Sequence, residues 1–218
     1  DFFPFGKKDN PYPLAKDGLL SYVKVDKVVL WIKILVACIP AAVVGVLFDE
    51  QLEAMFYNYQ TVSIALIVFG IAFIVIENRN AHQHSRIHSL RNITIQTALL
   101  IGVFQLIAAI FPGTSRSGAT IVGALLLGVS RTVAAEFTFF LAIPVMFGAS
   151  LLKIVKFGLS FTMQEATILI VGMVVAFVVS VFVIKFLMSY IKKHDFKVFG
   201  WYRIVLGIIV LVYFMFLG

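Results

Sequence analysis

The sequence predicts an all-α polytopic membrane protein, with five membrane-spanning helices and one re-entrant helical hairpin over residues 93–129. Composition, segment length and loop charge lead to this prediction. Of the 218 residues, 61% are hydrophobic and 13% are charged. A soluble domain usually carries about 25% charged residues, so this chain has too few polar side chains to cover a water-facing surface. We expect a single membrane domain over residues 1–218.

Long apolar segments indicate the spans. A helix needs about 20 apolar residues to cross the hydrocarbon core of a bilayer. Five segments reach this length, if the interfacial tyrosines before the second are counted with it: 28–48, 61–76, 132–155, 166–190 and 201–217. Two further apolar segments do not qualify as spans. Segment 93–111 is interrupted by polar residues, and segment 118–129 is too short to cross the hydrocarbon core. Two short helices around a polar turn are typical of a re-entrant hairpin, whose irregular backbone needs protein or water around it.

Charged residues in the loops predict where the chain crosses. Basic residues cluster in segments 1–27, 77–92 and 191–200, namely Lys7, Lys8, Lys16, Lys24, Lys27, Arg79, Arg86, Arg91, Lys192, Lys193 and Lys197. By the positive-inside rule these three loops are cytoplasmic, and the loop with Asp49, Glu50 and Glu53 lies outside. The chain must then cross an even number of times between residues 92 and 191. The two long helices supply two crossings, so the hairpin enters and returns on one side.

These loops also account for the net charge of +7. Because no separate basic domain accompanies it, we expect no nucleic-acid partner. The histidines of the second loop, His82, His84 and His88, fit no standard metal site. We interpret them as part of a solvated basic loop that contacts anionic headgroups.

One polar stretch, Pro112-Gly113-Thr114-Ser115-Arg116-Ser117-Gly118, lies between the two short helices. An arginine near the midplane of a bilayer costs at least about 2.5 kcal/mol, so Arg116 is expected to have a function. Its planar guanidinium suits a phosphate bidentately, and Thr114, Ser115, Ser117 and Thr120 add hydroxyl donors. Gly118 is predicted to open a helix, whose N-terminal N–H groups favour an anion. The structural alternative is that Arg116 pairs with Glu136.

Two more polar residues are candidates for the surroundings of this site. Gln105, in the first half-helix, either reaches the site or forms a hydrogen bond between helices. Glu136 either contacts Arg116 or a cation, or is a carboxylate at the end of a helix.

Several segments resemble one known family: Gly102-Val103-Phe104-Gln105, Phe111-Pro112-Gly113-Thr114-Ser115-Arg116-Ser117-Gly118-Ala119-Thr120-Ile121, Gly128-Val129-Ser130-Arg131 and Glu136-Phe137-Thr138-Phe139-Phe140-Leu141-Ala142-Ile143-Pro144. They resemble the undecaprenyl-diphosphatase family, also called the bacitracin-resistance protein family, over essentially the whole chain. The resemblance implies an enzyme of the bacterial plasma membrane that hydrolyses undecaprenyl diphosphate to the monophosphate and inorganic phosphate. This reaction recycles the cell-wall lipid carrier and confers bacitracin resistance. The implied fold is an inverted repeat with two re-entrant hairpins.

The resemblance also implies roles for individual residues. Arg116 and Ser115 would be catalytic, and Thr114, Ser117, Gly118 and Thr120 would bind the diphosphate. The family has an N-terminal motif as well, with two carboxylates linked to a divalent cation (Mg²⁺ or Ca²⁺), a Pro-Val-Ser-Ser-Thr-Gly-like turn and a histidine. This sequence has no such motif. We therefore expect an N-terminally truncated chain that lacks the metal ligands and is inactive alone.

Other functions and assemblies are weighed against this one. Broken helices also suit a transporter, so a polyprenyl-phosphate transporter or flippase is the alternative. Membrane phosphatidic-acid-type phosphatases carry Ser-Arg followed by five residues and a His. Val122 occupies that position here, which argues against that class. A homodimer is an assembly that the sequence leaves open.

Overall fold

The computed structural model describes residues 24–81, 85–157 and 162–216. Within these ranges the chain forms seven α-helices, one 3₁₀ turn at Leu90–Asn92 and no β-strand. The helices are α1 (Val25–Phe56), α2 (Tyr59–Ala81), α3 (Ile95–Ile110), α4 (Arg116–Leu126), α5 (Arg131–Phe157), α6 (Met163–Ile191) and α7 (Lys197–Phe216).

Five of these helices are long and apolar enough to cross a membrane, which confirms the predicted spans over the described residues. The least buried of them is α6, whose most apolar 18-residue window has 0% of its residues buried. So large an exposed apolar surface would be an anomaly in water. In lipid it is the ordinary outer face of a bundle, so the chain is a multi-pass membrane protein.

The predicted acidic loop at Asp49, Glu50 and Glu53 is wrong, because α1 continues through it to Phe56. The residues that follow the apolar segment are strong helix formers such as Gln, Leu, Glu, Ala and Met. A helix satisfies its own backbone inside or outside hydrocarbon, so a change in polarity alone does not end it. At its other end α1 begins at Val25, inside the predicted 1–27 loop. Lys7, Lys8 and Lys16 of that loop lie outside the described residues.

The second predicted loop, 77–92, is also shorter than expected, because α2 extends to Ala81. Glu77 therefore lies in a helix, and its side chain is 0% exposed. Arg131 at the start of α5 donates to it, with Nη2 2.6 Å and Nε 2.9 Å from Oε2. A carboxylate without water needs such a partner, and the pair joins α2 to α5. In the same loop His88 is exposed, whereas His82 and His84 lie outside the described residues.

The hairpin of α3 and α4 confirms the prediction for residues 93–129. With 16 and 11 residues, the helices are roughly 24 and 16 Å long, which is less than the thickness of the hydrocarbon core, about 30 Å. Its entry and exit meet: Arg86 N donates to Gly128 O at 2.8 Å, and Ser130 N to Ile87 O at 2.9 Å. The hairpin thus enters and leaves at the same end of the bundle. The inverted repeat implied by the resemblance stays a prediction.

Two helix starts near the site and the basic loops differ from the prediction. Helix α4 begins at Arg116 rather than Gly118, because Ser115 already provides a side-chain cap. Helix α7 begins at Lys197, which shortens the predicted 191–200 loop.

The Glu77–Arg131 pair yields a prediction about stability. Arg131→Met should lower the free energy of unfolding by about 3–5 kcal/mol, because it leaves a buried carboxylate without its cation. Glu77→Gln should cost less, because the Arg131 side chain is 38% exposed and can be partly solvated. The measurement is thermal unfolding in detergent, followed by tryptophan fluorescence. Glu53→Gln, an exposed residue of α1, is the control. Equal melting temperatures for Arg131→Met and the control would contradict the assignment.

Candidate functional site

The turn between α3 and α4 adopts a constrained backbone. Gly113 has φ +90° and Ser115 has φ +59°, the one positive φ at a non-glycine residue in the described part of the chain. A non-glycine residue in a sparsely populated backbone region costs on the order of 1–3 kcal/mol and is often found at functional sites. At Gly113 a side chain would also collide with the Val62 carbonyl, 2.6 Å from the Cβ position. The turn therefore requires glycine at 113, and it packs close to the start of α2.

Ser115 caps α4 and connects the hydroxyls of the turn. Its Oγ accepts from Gly118 N at 3.4 Å and lies 3.1 Å from Ser117 Oγ. The Ser115 carbonyl accepts from Ala119 N at 3.0 Å. The N–H groups of Arg116 and Ser117 precede these bonds and so lie outside the helical ladder. With the dipole of α4, they offer positive charge to an anion in front of the helix.

Arg203 of α7 holds the turn from the other side. Its Nη1 donates to the Thr114 carbonyl at 2.7 Å, and its guanidinium carbon lies 5.4 Å from the centre of the Phe73 ring. A Cβ at Gly118 would lie 3.1 Å from Nη2 of this arginine, so a glycine at 118 admits the guanidinium. One arginine therefore satisfies a backbone carbonyl that no helix ladder reaches.

Thr120 and Thr138 link the first turn of α4 to α5. The Thr120 hydroxyl lies 3.0 Å from the Arg116 carbonyl, 3.1 Å from that of Ser117 and 3.0 Å from Thr138 Oγ1. Thr120 is only 1% exposed. Its hydroxyl thus fixes the backbone that carries Arg116. This is a structural role in addition to the substrate binding predicted for Thr120.

A cavity of about 770 Å³ opens in front of α4. Its polar lining consists of Gln105, Arg116, Ser117, Thr120, Glu136 and Thr138. Its apolar lining comes from α5 and α6: Phe139, Phe140, Ala142, Ile143, Met146, Ile184 and Met188. Such a cavity can receive a molecule with an anionic head and a long apolar tail.

The structure brings together most of the predicted site residues. Arg116 and Ser117 are exposed and line the cavity. Arg116 and Glu136 line it together, yet no ion pair joins them in the part of the chain described, so the predicted structural alternative is not what the structure shows. Gln105 is 2% exposed, and its Nε2 has no hydrogen-bond partner among the described residues. Gln105 lines the cavity, but its Nε2 is buried.

Thr114, Ser115 and Gly118 lie differently from the other predicted residues, because none of them lines the large cavity. Thr114 is fully buried and does not line the large cavity. Its carbonyl is the acceptor for Arg203, and its Oγ1 has no partner among the described residues. Gly118 instead lines a neighbouring cavity of about 110 Å³ together with Ser117 and Arg203.

Sequence reasoning missed Arg203, Thr138 and the Glu77–Arg131 pair. The signal for Arg203 was present: an arginine within an apolar span marks a functional or buried polar position. No pattern in the sequence indicates which carbonyl it would reach, since Thr114 is 89 residues away. Thr138 had no signal, because a threonine in an apolar helix is common.

Comparison with known proteins decides the family. The sequence profile of the family described as Bacitracin resistance protein BacA matches residues 14–209. This chain belongs to that family. Among curated relatives, the chain is 70% identical over 194 residues to Undecaprenyl-diphosphatase 1 of Clostridium acetobutylicum, covering 89% of this chain and 71% of the relative. It is 65% identical over 210 residues to the Undecaprenyl-diphosphatase of Desulfitobacterium hafniense, covering 96% and 74%. It is 61% identical to that of Enterococcus faecalis, covering 90% and 71%. Membership in the BacA family confirms the resemblance found in the sequence.

The contact of Arg203 with Thr114 is testable by hydrogen exchange. Arg203→Met removes a charge-assisted hydrogen bond, typically worth about 1.5–3 kcal/mol. Amide exchange in a peptide covering residues 111–116 should therefore become at least about tenfold faster. Arg203→Lys should give an intermediate rate, because lysine keeps the charge but not the planar fork. Arg79→Met at the exposed end of α2 is the control. Exchange in the turn that is unchanged by Arg203→Met would disprove this role.

Proposed function

We propose that this chain hydrolyses undecaprenyl diphosphate to undecaprenyl phosphate and inorganic phosphate, as the names of its relatives state for those proteins. The observation that carries the proposal is the position of Arg116, which is exposed on the first turn of α4 and faces a cavity with a polar end and an apolar wall. Product formation would recycle the lipid carrier of cell-wall synthesis and underlie bacitracin resistance. The bacterial plasma membrane is the location that this role requires.

The two parts of the cavity match the two parts of the substrate. The diphosphate fits the polar end, where Arg116 and Ser117 meet the N-terminus of α4. The prenyl chain fits the wall of α5 and α6, where Ile143 and Met146 are more than half exposed. Because no residue in the most apolar stretch of α6 is buried by the described part of the chain, a tail that follows this wall can continue into the surrounding lipid.

Charge neutralisation is the chemistry that the described residues supply. In the hydrolysis, a water oxygen bonds to the terminal phosphorus while the bond from that phosphorus to the bridging oxygen breaks. Negative charge develops on the bridging oxygen, which leaves with the lipid monophosphate. A guanidinium stabilises such oxygens through two parallel hydrogen bonds, and the hydroxyls of Ser115 and Ser117 add donors. We propose Arg116 and Ser115 as catalytic and Ser117 and Thr120 as substrate-binding, with Thr114 and Gly118 shaping the turn that carries them.

Gln105 and Glu136 complete the polar lining. The Nε2 of Gln105 is buried without a partner among the described residues, which is costly for an amide donor. Glu136 is the carboxylate that the described residues contribute to this cavity. Because Glu136 forms no ion pair with Arg116 among the described residues, the guanidinium is available to the phosphate.

A divalent cation, Mg²⁺ or Ca²⁺, is part of the proposal, because the diphosphate carries several negative charges. A Mg²⁺ ion is usually held by one or two carboxylates together with substrate phosphates. In the residues that the structure describes, no three His, Cys, Asp or Glu side chains lie close enough to hold a metal. These residues do not by themselves form a binding site for a resident cation.

Replacement of Arg116 tests the proposal directly. In the protein as its gene encodes it, purified in detergent with Mg²⁺ or Ca²⁺ present, Arg116→Ala should reduce phosphate release at least about 10²-fold, the loss typical of one electrostatic donor. Arg116→Lys should retain part of the activity, since it keeps a charge without the bidentate geometry. The measurement is phosphate release from undecaprenyl diphosphate.

Two controls accompany that assay. Arg79→Ala removes an exposed arginine that does not line the cavity and should leave the rate within about twofold. Thermal unfolding of Arg116→Ala should match that of the unmodified protein, because the side chain is exposed. Full activity of Arg116→Ala would contradict the catalytic role proposed for Arg116. Labelled lipid that crosses proteoliposomes without phosphate release would favour the transporter alternative instead.

The apolar wall offers a test of where the prenyl chain lies. Ile143→Asn should raise the KM for undecaprenyl diphosphate about tenfold, because burial of one such side chain is worth about 1.5–3 kcal/mol. A diphosphate with a short prenyl chain should be affected less. Phe147→Asn, one turn along α5 and outside the cavity lining, is the matched control. Equal KM changes for the two variants would argue against the tail path.

A further inference from the structure

A second polar cavity, of about 470 Å³, lies at the opposite end of α4 from Arg116. It is lined by Asn80 at the end of α2, by Ser85, by Leu125 and residues 128–132 after α4, and by residues 191–195 after α6. Since α4 has 11 residues, the two cavities are separated by roughly 16 Å along its axis. They share no lining residue, so this cavity is distinct from the candidate active site.

The charges around this cavity leave it positive. Arg131 is paired with Glu77, and Asp195 lies 3.5 Å from Lys197, so these four charges largely compensate one another. Lys192 and Lys193 also line the cavity, and neither forms an ion pair with any residue in the described ranges. Two lysines without an ion pair among the described residues therefore belong to the lining of this mainly polar cavity.

The opposite wall contributes donors that favour the same class of ligand. The first backbone hydrogen bond of α5 runs from Ala134 N to Ser130 O at 2.8 Å. The N–H groups of Arg131 and Thr132 precede it, and Ser130 and Thr132 are both lining residues of the cavity. A helix N-terminus alone would not define a site. Here the same cavity is also lined by two lysines that follow α6, and the combination suits a compact anion with several acceptor oxygens.

The walls are held in place without a ligand. The N–H groups of Arg86 and Ile87 both donate to the Gly128 carbonyl, at 2.8 and 3.1 Å. The bond from Ser130 N to Ile87 O closes the other side at 2.9 Å. Because these backbone contacts order the segment beforehand, binding would require little reorganisation.

We propose that this cavity binds a phosphate group at the basic face of the membrane. The group is either the phosphate ester of an anionic lipid headgroup or dissolved inorganic phosphate, which share the same charge and oxygen acceptors. The cavity lies among the loops rich in lysine and arginine, where anionic headgroups concentrate. Binding here is independent of the proposed hydrolysis, since it involves other residues at the other end of α4.

The test is lipid binding by the purified protein, measured by native mass spectrometry during titration with phosphatidylglycerol or phosphatidylcholine. The double variant Lys192→Gln/Lys193→Gln should bind phosphatidylglycerol on the order of tenfold more weakly. Lys24→Gln/Lys27→Gln is the matched control, because it removes two charges near the same end of the bundle but outside the cavity lining. The control should stay within about twofold, and phosphatidylcholine binding should not respond to either variant. Thr132→Phe, which fills the space and keeps every charge, should also weaken phosphatidylglycerol binding.

A competition arm separates the two sources of phosphate. If millimolar inorganic phosphate does not displace phosphatidylglycerol, the cavity recognises the lipid headgroup. If it displaces the lipid from the unmodified protein but not from Thr132→Phe, the cavity takes free phosphate. Equal losses in both lysine variants, with Thr132→Phe unaffected, would mean attraction to the membrane surface only and would overturn the proposal. Unchanged binding in all variants would overturn it as well.

Discussion

Backbone groups that leave a helix within an apolar layer need partners, and the turn at the tip of the hairpin depends on meeting this need. The Thr114 carbonyl is reached by an arginine from α7, and the first turn of α4 is closed by Ser115 and Thr120. These contacts use the side chains of neighbouring elements because the chain itself has no ladder there. The irregular turn is stable only inside the bundle, which is why α2, α5 and α7 surround it.

The two arginines near the turn have separate tasks. Arg203 donates to the Thr114 carbonyl and lies against Phe73, so it fixes the conformation of the turn. Arg116 has no ion pair among the described residues and projects into the large cavity, so it can respond to an anion. A site that relied on one arginine for both tasks would lose its shape whenever that arginine moved. The division keeps the N-terminus of α4 ordered independently of Arg116, which is the condition for electrostatic preorganisation.

Helix α4 places polar chemistry at both of its ends while its middle is packed in protein. Residues 118–125 are all buried, so the helix is a rigid spacer between the hairpin tip and the basic face. At its C-terminal end, the Glu77–Arg131 pair anchors the exit of the hairpin to α2. The cavity beside Arg116 and the cavity beside Lys192 and Lys193 are thus held at a fixed distance from each other by a single buried helix, α4.

Composition and segment length by themselves determined the membrane class, the five spans and the hairpin, because hydrophobic length and loop charge are local properties of the chain. The Pro112–Gly118 motif likewise predicted Arg116 as the centre of the site. Tertiary structure alone decided the rest. It showed Thr114 turned away from the large cavity, Thr120 bonded to the backbone beneath Arg116, and Glu136 beside Arg116 without pairing to it. It also brought Arg203 to Thr114 and Arg131 to Glu77, residues 89 and 54 positions apart. Such contacts depend on how helices pack against one another, and the sequence of one helix contains no record of the partner it will meet.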